Sequence, residues 1–286
     1  MSKSSFCAFI LSHGRPNNVR TYETLRRCGY SGDIRIIIDN LDGTQNQYKE
    51  KYPNEIIIFD KEEASKITDS GDADKSLRSV LYARNMVHAI AEAHGYDYFV
   101  ELDDDYTSFL FRFDNNLKPY LRGQHITNLD KVFQSLVEFL EVSGAYSVAV
   151  AQGGDFIGGG QNRNLKRIRC LRKTMNSFVC KTSRPFKFLG RMNDDVSMYV
   201  VGGSRGELHL TTTQIMLNQG ITQANAGGLT ELYLDMGTYV KSYYSIMFHP
   251  SSVSIRMMGG SHRRVHHHVA WNNTVPKIIR QVHKKM

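Results

Sequence analysis

The apolar positions fall into short, dense runs separated by polar punctuation. Phe6–Leu11 is apolar throughout, and Ile34–Ile38 and Glu55–Phe59 are similar runs that stop at Asp39 and Asp60. Tyr98–Leu102 is a fourth run and Tyr146–Ala151 a fifth. Segments of this length and composition predict buried strands. Between them the period changes. Val19–Cys28 reads as a helix, with Gly29 as its left-handed cap. Leu77, Val80, Leu81, Val87, Ile90 and Ala91 recur at helical spacing. Thr127 or Asn128 caps a further helix with Leu129, Val132, Phe133, Leu136, Val137 and Leu140 on one stripe. Strands alternating with helices predict an α/β fold, a mostly parallel central sheet flanked by helices. The polar stretch Asp60–Lys75 reads as a mobile loop, a candidate lid.

With 286 residues, 41% hydrophobic and 22% charged, the chain has the composition of a soluble globular protein. It reads as a single domain, 1–286, in two halves of about 5–151 and about 152–286, the second ending in a basic C-terminal extension. Four cysteines without C-x-x-C spacing argue against a zinc ribbon and suit reduced thiols. No signal-like amino terminus and no membrane-length apolar window stand out, so a soluble, cytoplasmic protein is expected. The formal net charge of +8 is unevenly placed. Between Asp155 and Asp194 there is no acidic residue, while Arg163, Lys166, Arg167, Arg169, Arg172, Lys173 and Arg191 lie in that interval, interspersed with Phe178, Phe186 and Phe188. That composition suits a surface tracking phosphates, and suits equally a solvated basic face.

The candidate chemistry is acidic. Asp103, Asp104 and Asp105 follow a buried strand directly. Three adjacent carboxylates repel one another unless water or a cation screens them. At a strand's carboxyl end, where α/β sheets open ligand crevices, a divalent metal accounts for them, and a solvated acidic turn is the plain alternative. Alternation along a strand would converge Asp103 and Asp105 and turn Asp104 elsewhere. Further on, Asn193-Asp194-Asp195 places two acids ahead of the apolar Val196, either as a site or as a favourable helix start.

These pieces have a recognisable order. A strand leads to Ser12-His13-Gly14-Arg15-Pro16, and a second strand ends at Asp39. Ala83-Arg84-Asn85 precedes the Asp-X-Asp strand, and Asn193-Asp194-Asp195 follows later. The order resembles the GT-A class of nucleotide-sugar glycosyltransferases over roughly residues 5–200, and most of all the TET/JBP-associated branch that glycosylates modified bases in DNA, which occurs in bacteriophages. The resemblance implies a GT-A-like domain whose first half binds a UDP-sugar and whose second half binds the acceptor.

Residue by residue, it places Ser12, Gly14 and Arg15 near the uracil or pyrophosphate, Asp39 on base or ribose, and Arg84 facing the nucleotide. Asp39 could otherwise cap its own turn, and Arg84 could pair with a neighbouring acid. Asp103 would reach ribose or metal and Asp105 the metal, Mn²⁺ or Mg²⁺. Asp104 joins the nucleotide-sugar set because three aspartates stand where the pattern fixes two. Asp195 takes the position of the inverting general base, with Asp194 in place of the family's Glu. His262 or one of His266, His267 and His268 could supply a carboxy-terminal metal ligand, His268 being preferred, with surface histidines as the plain alternative. Arg163, Lys166, Arg167, Arg169, Arg172 and Lys173 would contact DNA carrying a hydroxylated or hydroxymethylated pyrimidine. The rivals are the same transfer onto a glycan or protein, a nucleotidyltransferase, and a non-catalytic nucleic-acid-binding module.

Overall fold

The computed structural model describes residues 5–116, 118–156, 168–175, 177–220, 237, 239–258 and 264–274. Ten strands form one sheet: β1 (Phe6–Leu11), β2 (Asp33–Asp39), β3 (Ile56–Phe59), β4 (Tyr98–Asp103), β5 (Tyr106–Phe113), β6 (Pro119–His125), β7 (Ser147–Gln152), β8 (Ile168–Arg169), β9 (Ser177–Lys181) and β10 (His209–Gln219). Their order is β3-β2-β1-β4-β9-β7-β10-β5-β6, with β8 against β10. The pairs β3-β2, β2-β1, β1-β4 and β7-β10 are parallel. Following the pairings across the sheet, β5, β8 and β9 oppose the other seven strands. The sheet is mostly parallel, as the strand and helix pattern predicts.

Because both faces are covered, the inner strands are largely apolar and alternate between two cores. Ala8 and Ile10 of β1 join Ile36, Ile38, Val100 and Leu102 on one face. There they meet Leu25 of α1 (Arg20–Arg27), Tyr48 of α2 (Gln45–Lys51), and Leu129, Phe133 and Leu136 of α5 (Leu129–Ser143). Cys7, Phe9 and Leu11 point the other way with Phe99 and Phe178. They pack against Ala64 of α3 (Lys61–Lys66), Val87 and Ile90 of α4 (Leu81–Ala93), and Met198 of α6 (Asp194–Ser204).

A smaller core joins Val196 and Val200 of α6 to Val253 and Val269. The last two belong to a hairpin of β11 (Val253–Met258) and β12 (Arg264–Val269), which packs with α7 (Lys241–Phe248) near α6.

Two turns show why particular residues were needed. Asn128 caps α5 by accepting from the Lys131 amide at 3.1 Å, which settles the choice between it and Thr127. Gly29 has φ +79°, and a Cβ there would sit 2.2 Å from the Thr127 carbonyl oxygen. No other residue fits the end of α1 against that loop.

Three expectations are corrected. Residues 60–75 are loop only in part, since 61–66 are helical and 67–75 irregular. Asp60 caps α3 through the Glu63 amide, and the following turns wrap around Arg191. The Arg191 guanidinium is fully buried and donates to both Asp72 carboxylate oxygens at 3.0 Å and to the Asp74 carbonyl at 2.7 Å. Arg191 therefore anchors the chain instead of facing a polyanion. Phe178, Phe186 and Phe188 likewise lie in the core, stacked edge to face or tilted among themselves, and are closed to bases.

Candidate active site

The sheet order reverses between β1 and β4. From β1 the chain moves outward through β2 to β3, then returns to lay β4 on β1's other side. At such a switch point the loops after neighbouring strands diverge and open a crevice at the carboxyl ends. The register aligns those ends, since Leu11 pairs with Asp103 and with Ile37, and Asp39 with Phe59. Ser12, Asp39 and the aspartate triplet are gathered there by topology.

The triplet splits three ways. Asp103 ends β4 and accepts from Arg84 Nη2 at 3.1 Å. Asp104, in the turn after β4 and so outside the strand's alternation, points inward and accepts from Ser12 Oγ at 2.6 Å with Arg15 Nε 3.3 Å away. Burial raises its pKa to about 6 despite the opposing Arg15 and Ser12. Asp105 is raised to about 6 as well, by burial and then by the Asp103 charge. Thr21, at the start of α1, fixes the turn: its amide donates to the Asp104 carbonyl at 3.1 Å and its hydroxyl to the Asp103 carbonyl at 2.6 Å.

Gly14 has φ +69° with nothing within 4 Å of where a Cβ would stand, so it supplies the turn rather than a close approach to protein. Its amide donates to Asp42 at 2.7 Å. Asp39 is held by His13 Nδ1 at 2.7 Å and Lys61 Nζ at 3.0 Å, while its other oxygen accepts from the Leu41 amide at 3.1 Å. The turn-capping role left open for Asp39 is thus present. Burial would raise its carboxyl, but His13 and Lys61 outweigh that and hold it low.

Arg84 is the hub between the two acidic sites. Its guanidinium is buried over the Phe178 and Phe188 rings, 5.5 and 5.3 Å from their centroids. Besides Asp103 it reaches Glu101 at 3.7 Å and Asp194 at 3.2 Å. The Asp194 contact is an ion pair without hydrogen-bond alignment, leaving Nε, Nη1 and Asp194 Oδ2 without a hydrogen bond among the described residues. Glu101 is pushed up to about 8, because burial outweighs Arg84 and the Asp103 and Asp194 charges add to it. Next along α4, Asn85 clamps the chain before α6, donating to the Phe188 carbonyl at 3.0 Å and accepting its amide at 2.8 Å.

Asp194 and Asp195 open α6. Asn193 precedes them at φ 53°, the one described non-glycine residue in left-handed space. It is held by donating to the Lys241 carbonyl at 2.6 Å and by a 3.1 Å contact with His267 Nδ1. The two carboxylates are pushed apart. Burial raises both, but for Asp195 it is outweighed by Lys173 Nζ at 2.7 Å, with Arg84 and the Val196 amide, which together hold it low, while Asp194 stays raised.

Several expectations meet a different geometry. His268 does not join Asp103 and Asp105. Strand alternation puts it on the face of β12 opposite His267, and among the described residues no three His, Cys, Asp or Glu side chains form a ready metal cluster. Arg169 and Arg172 turn inward onto the buried Asp155, Arg169 at 3.5 Å, and Lys173 is committed to Asp195, so these three do not form an open phosphate-tracking face. Arg163, Lys166, Arg167 and His262 lie outside the described residues. Sequence reasoning missed Glu101, His13, Lys61 and Thr21. Glu101 was hidden as the one acid in an apolar strand, and an acid there needs a buried cation, which is a usable signal.

The sequence profile of the TET-associated glycosyltransferases matches residues 6–228, from the first residue of β1 past β10. The chain belongs to that family. It is a glycosyltransferase. The match in this TET-associated glycosyltransferase includes the aspartate triplet, Arg84 and the Asp194–Asp195 pair, and stops before α7 and the hairpin bearing His268. No curated protein matches the chain. Among solved structures it is similar to glucosyl-3-phosphoglycerate synthase from Mycobacterium tuberculosis in complex with Mn²⁺, UDP and phosphoglyceric acid, at 9% identity and TM-score 0.48, covering 94% of this chain and 88% of that one. A mycobacterial protein gives 10% identity and TM-score 0.47 over 96% and 85%. A CMP-2-keto-3-deoxy-manno-octonic acid synthetase complexed with CTP gives 8% and 0.41 over 81% and 97%. Among the described residues no helix is long and apolar enough to cross a membrane.

Proposed function

We propose that this chain moves a sugar from a UDP-sugar to the hydroxyl of a modified, hydroxylated or hydroxymethylated pyrimidine in DNA, with inversion and with Mn²⁺ or Mg²⁺, as part of bacteriophage DNA hypermodification in the host cytoplasm. The observation that carries the transfer is the joining of two acidic sites at the switch point, Asp103–Asp105 and Asp194–Asp195, by one buried Arg84. The donor's nucleotide would lie over Ser12, Gly14, Arg15 and Asp39.

The residues suit a divalent cation. Asp105 is raised by burial and then by the neighbouring Asp103 charge, with Arg15 opposing, so a cation shared by the two carboxylates would relieve their repulsion. Two protein ligands would suffice, the donor's diphosphate oxygens and water supplying the rest. Asp103 and Asp105 would hold the ion. When bound, it neutralises charge on the departing diphosphate. Asp195 takes the proton of the acceptor hydroxyl as that oxygen bonds to the anomeric carbon. The anomeric carbon–phosphate oxygen bond breaks on the opposite face, and its electron pair leaves with UDP.

The DNA acceptor is supported by the family and by the net charge of +8. Arg163, Lys166 and Arg167 are its candidate contacts. A glycan or protein acceptor is favoured by one observation, the inward pairing of Arg169, Arg172 and Lys173. The test is UDP release from a panel of UDP-sugars with Mn²⁺, with and without DNA containing hydroxymethylated pyrimidines. UDP release that requires such DNA, with a matching mass gain on the base, is expected. Release indifferent to DNA would move the acceptor to a glycan or protein, and pyrophosphate release would mean nucleotidyl transfer.

A further inference from the structure

The Asp194–Asp195 pair poses a problem that its sequence does not resolve. Two adjacent carboxylates at one helix start cannot both serve as base, and both are buried. Their surroundings differ. Asp194 faces Arg84, which it shares with Asp103 and Glu101. Asp195 has both oxygens engaged: Oδ1 accepts from the Val196 amide at 2.8 Å and Oδ2 from Lys173 Nζ at 2.7 Å.

Lys173 arrives from a segment that is itself fastened. Arg169 and Arg172, four and one residues before it, both pair with Asp155 beyond the end of β7. With that anchor, the side chain of Lys173 is placed across the start of α6. Its own exposure is 24% and that of Asp195 is 12%, so the ion pair is largely shielded and its attraction is weakly screened.

We propose that Lys173 is a positioning residue that makes Asp195 the standing anion of the pair, so that Asp195 and not Asp194 receives the acceptor's proton. The catalytic part of this statement rests on the glycosyl-transfer reading above; the charge assignment does not. The other groups facing Asp195 are Asp194, Arg84, Arg172 and His267. Arg84 is shared among three acids, Arg172 is committed to Asp155, and burial with neighbouring cations holds His267 at about 4, neutral near pH 7. Lys173 is therefore the cation whose removal Asp195 feels most. An amine that holds Oδ2 also limits where the acceptor hydroxyl can approach, because Oδ1 already receives the helix amide.

The test uses the full chain with ¹³C-labelled aspartate, the Asp195 carboxyl resonance being assigned by its loss in Asp195→Asn. Lys173→Met is expected to raise the Asp195 midpoint by about one pH unit or more, and Lys173→Arg to leave it near the wild-type position. Unchanged far-UV circular dichroism in both variants guards against misfolding, and the conservative arginine variant stands in if the methionine variant fails to fold. An Asp195 midpoint that does not move in Lys173→Met, or one that in wild type lies above that of Asp194, overturns the proposal. Where UDP release is measurable, the acidic limb of kcat should move to higher pH with the NMR midpoint while the donor KM stays within about twofold. Full activity in Asp195→Asn would overturn the base reading while leaving the NMR result to decide the role of Lys173.

Discussion

Replacing Arg84 by methionine tests the central feature of the site. The side chain keeps similar length and leaves the Phe178 and Phe188 rings covered, but it strips Glu101, Asp103 and Asp194 of their shared cation. Breaking a buried pair on one side costs about 3–5 kcal/mol, since an uncompensated charge remains. The loss should depend on pH. Glu101 already lies near 8 and Asp194 is raised with Arg84 present, and both rise further without it. A group whose folded pKa exceeds its unfolded one stabilises the fold below the unfolded pKa and loses that contribution as pH rises through the folded value. The variant's deficit should therefore be small near pH 5 and large near pH 8. Urea unfolding followed by circular dichroism at the two values measures it. Adding Glu101→Gln should recover about 1–3 kcal/mol at pH 8, because the two sites are coupled. A deficit below about 1 kcal/mol at pH 8, or an equal deficit at both values, would refute the view of Arg84 as the buried counter-charge of this cluster.

Asp105→Asn should preserve the unfolding midpoint and remove Mn²⁺-stimulated UDP release; retained metal stimulation would take Asp105 out of the metal site. His88 is pushed down to about 4 by burial among Phe99 and Phe186. Its folded pKa lies below the unfolded one, so its contribution is present above about 6.5 and drains away as pH falls toward 4. His88→Leu should flatten that acid slope by about 2–3 kcal/mol at most, and an unchanged slope would assign the acid sensitivity elsewhere. Asp195→Asn should lower kcat by about 10²–10⁴-fold with donor binding nearly unchanged, read by single-turnover assay and calorimetry.

The first four strands and α1, α4 and α5 were legible because each carries its own burial pattern. A run such as Phe6–Leu11 needs nothing distant to declare itself. The candidate site was legible as positions but not as partnerships. Arg84 and Asp194 are far apart in sequence, and no local pattern announces that one buried guanidinium serves both Asp103 and Asp194. The basic stretch misled for the same reason. Composition counts charges but not their direction, so Arg172 and Arg191 read as surface cations while their carboxylate partners, Asp155 and Asp72, stood elsewhere in the chain. The strand β10, His209–Gln219, went unread because three threonines interrupt its apolar pattern, though Thr211 and Thr213 are buried. The hairpin of β11 and β12 was hidden by a histidine-rich composition that drew the eye to chemistry.

The sheet order also bears on how this chain is made. β4 lies beside β1, but its other edge is closed only by β9, and β9 is likewise what joins β4 to β7. Until residues 177–181 emerge from the ribosome, the facing edges of β4 and β7 are unsatisfied in the nascent chain, open to pairing with other chains. The aspartate turn that follows β4 sits at the end of one of those edges. Residues 177–181 thus close the gap between β4 and β7, with β10 covering the other edge of β7 later still, and a gene fragment ending near residue 151 would expose the edges they cover.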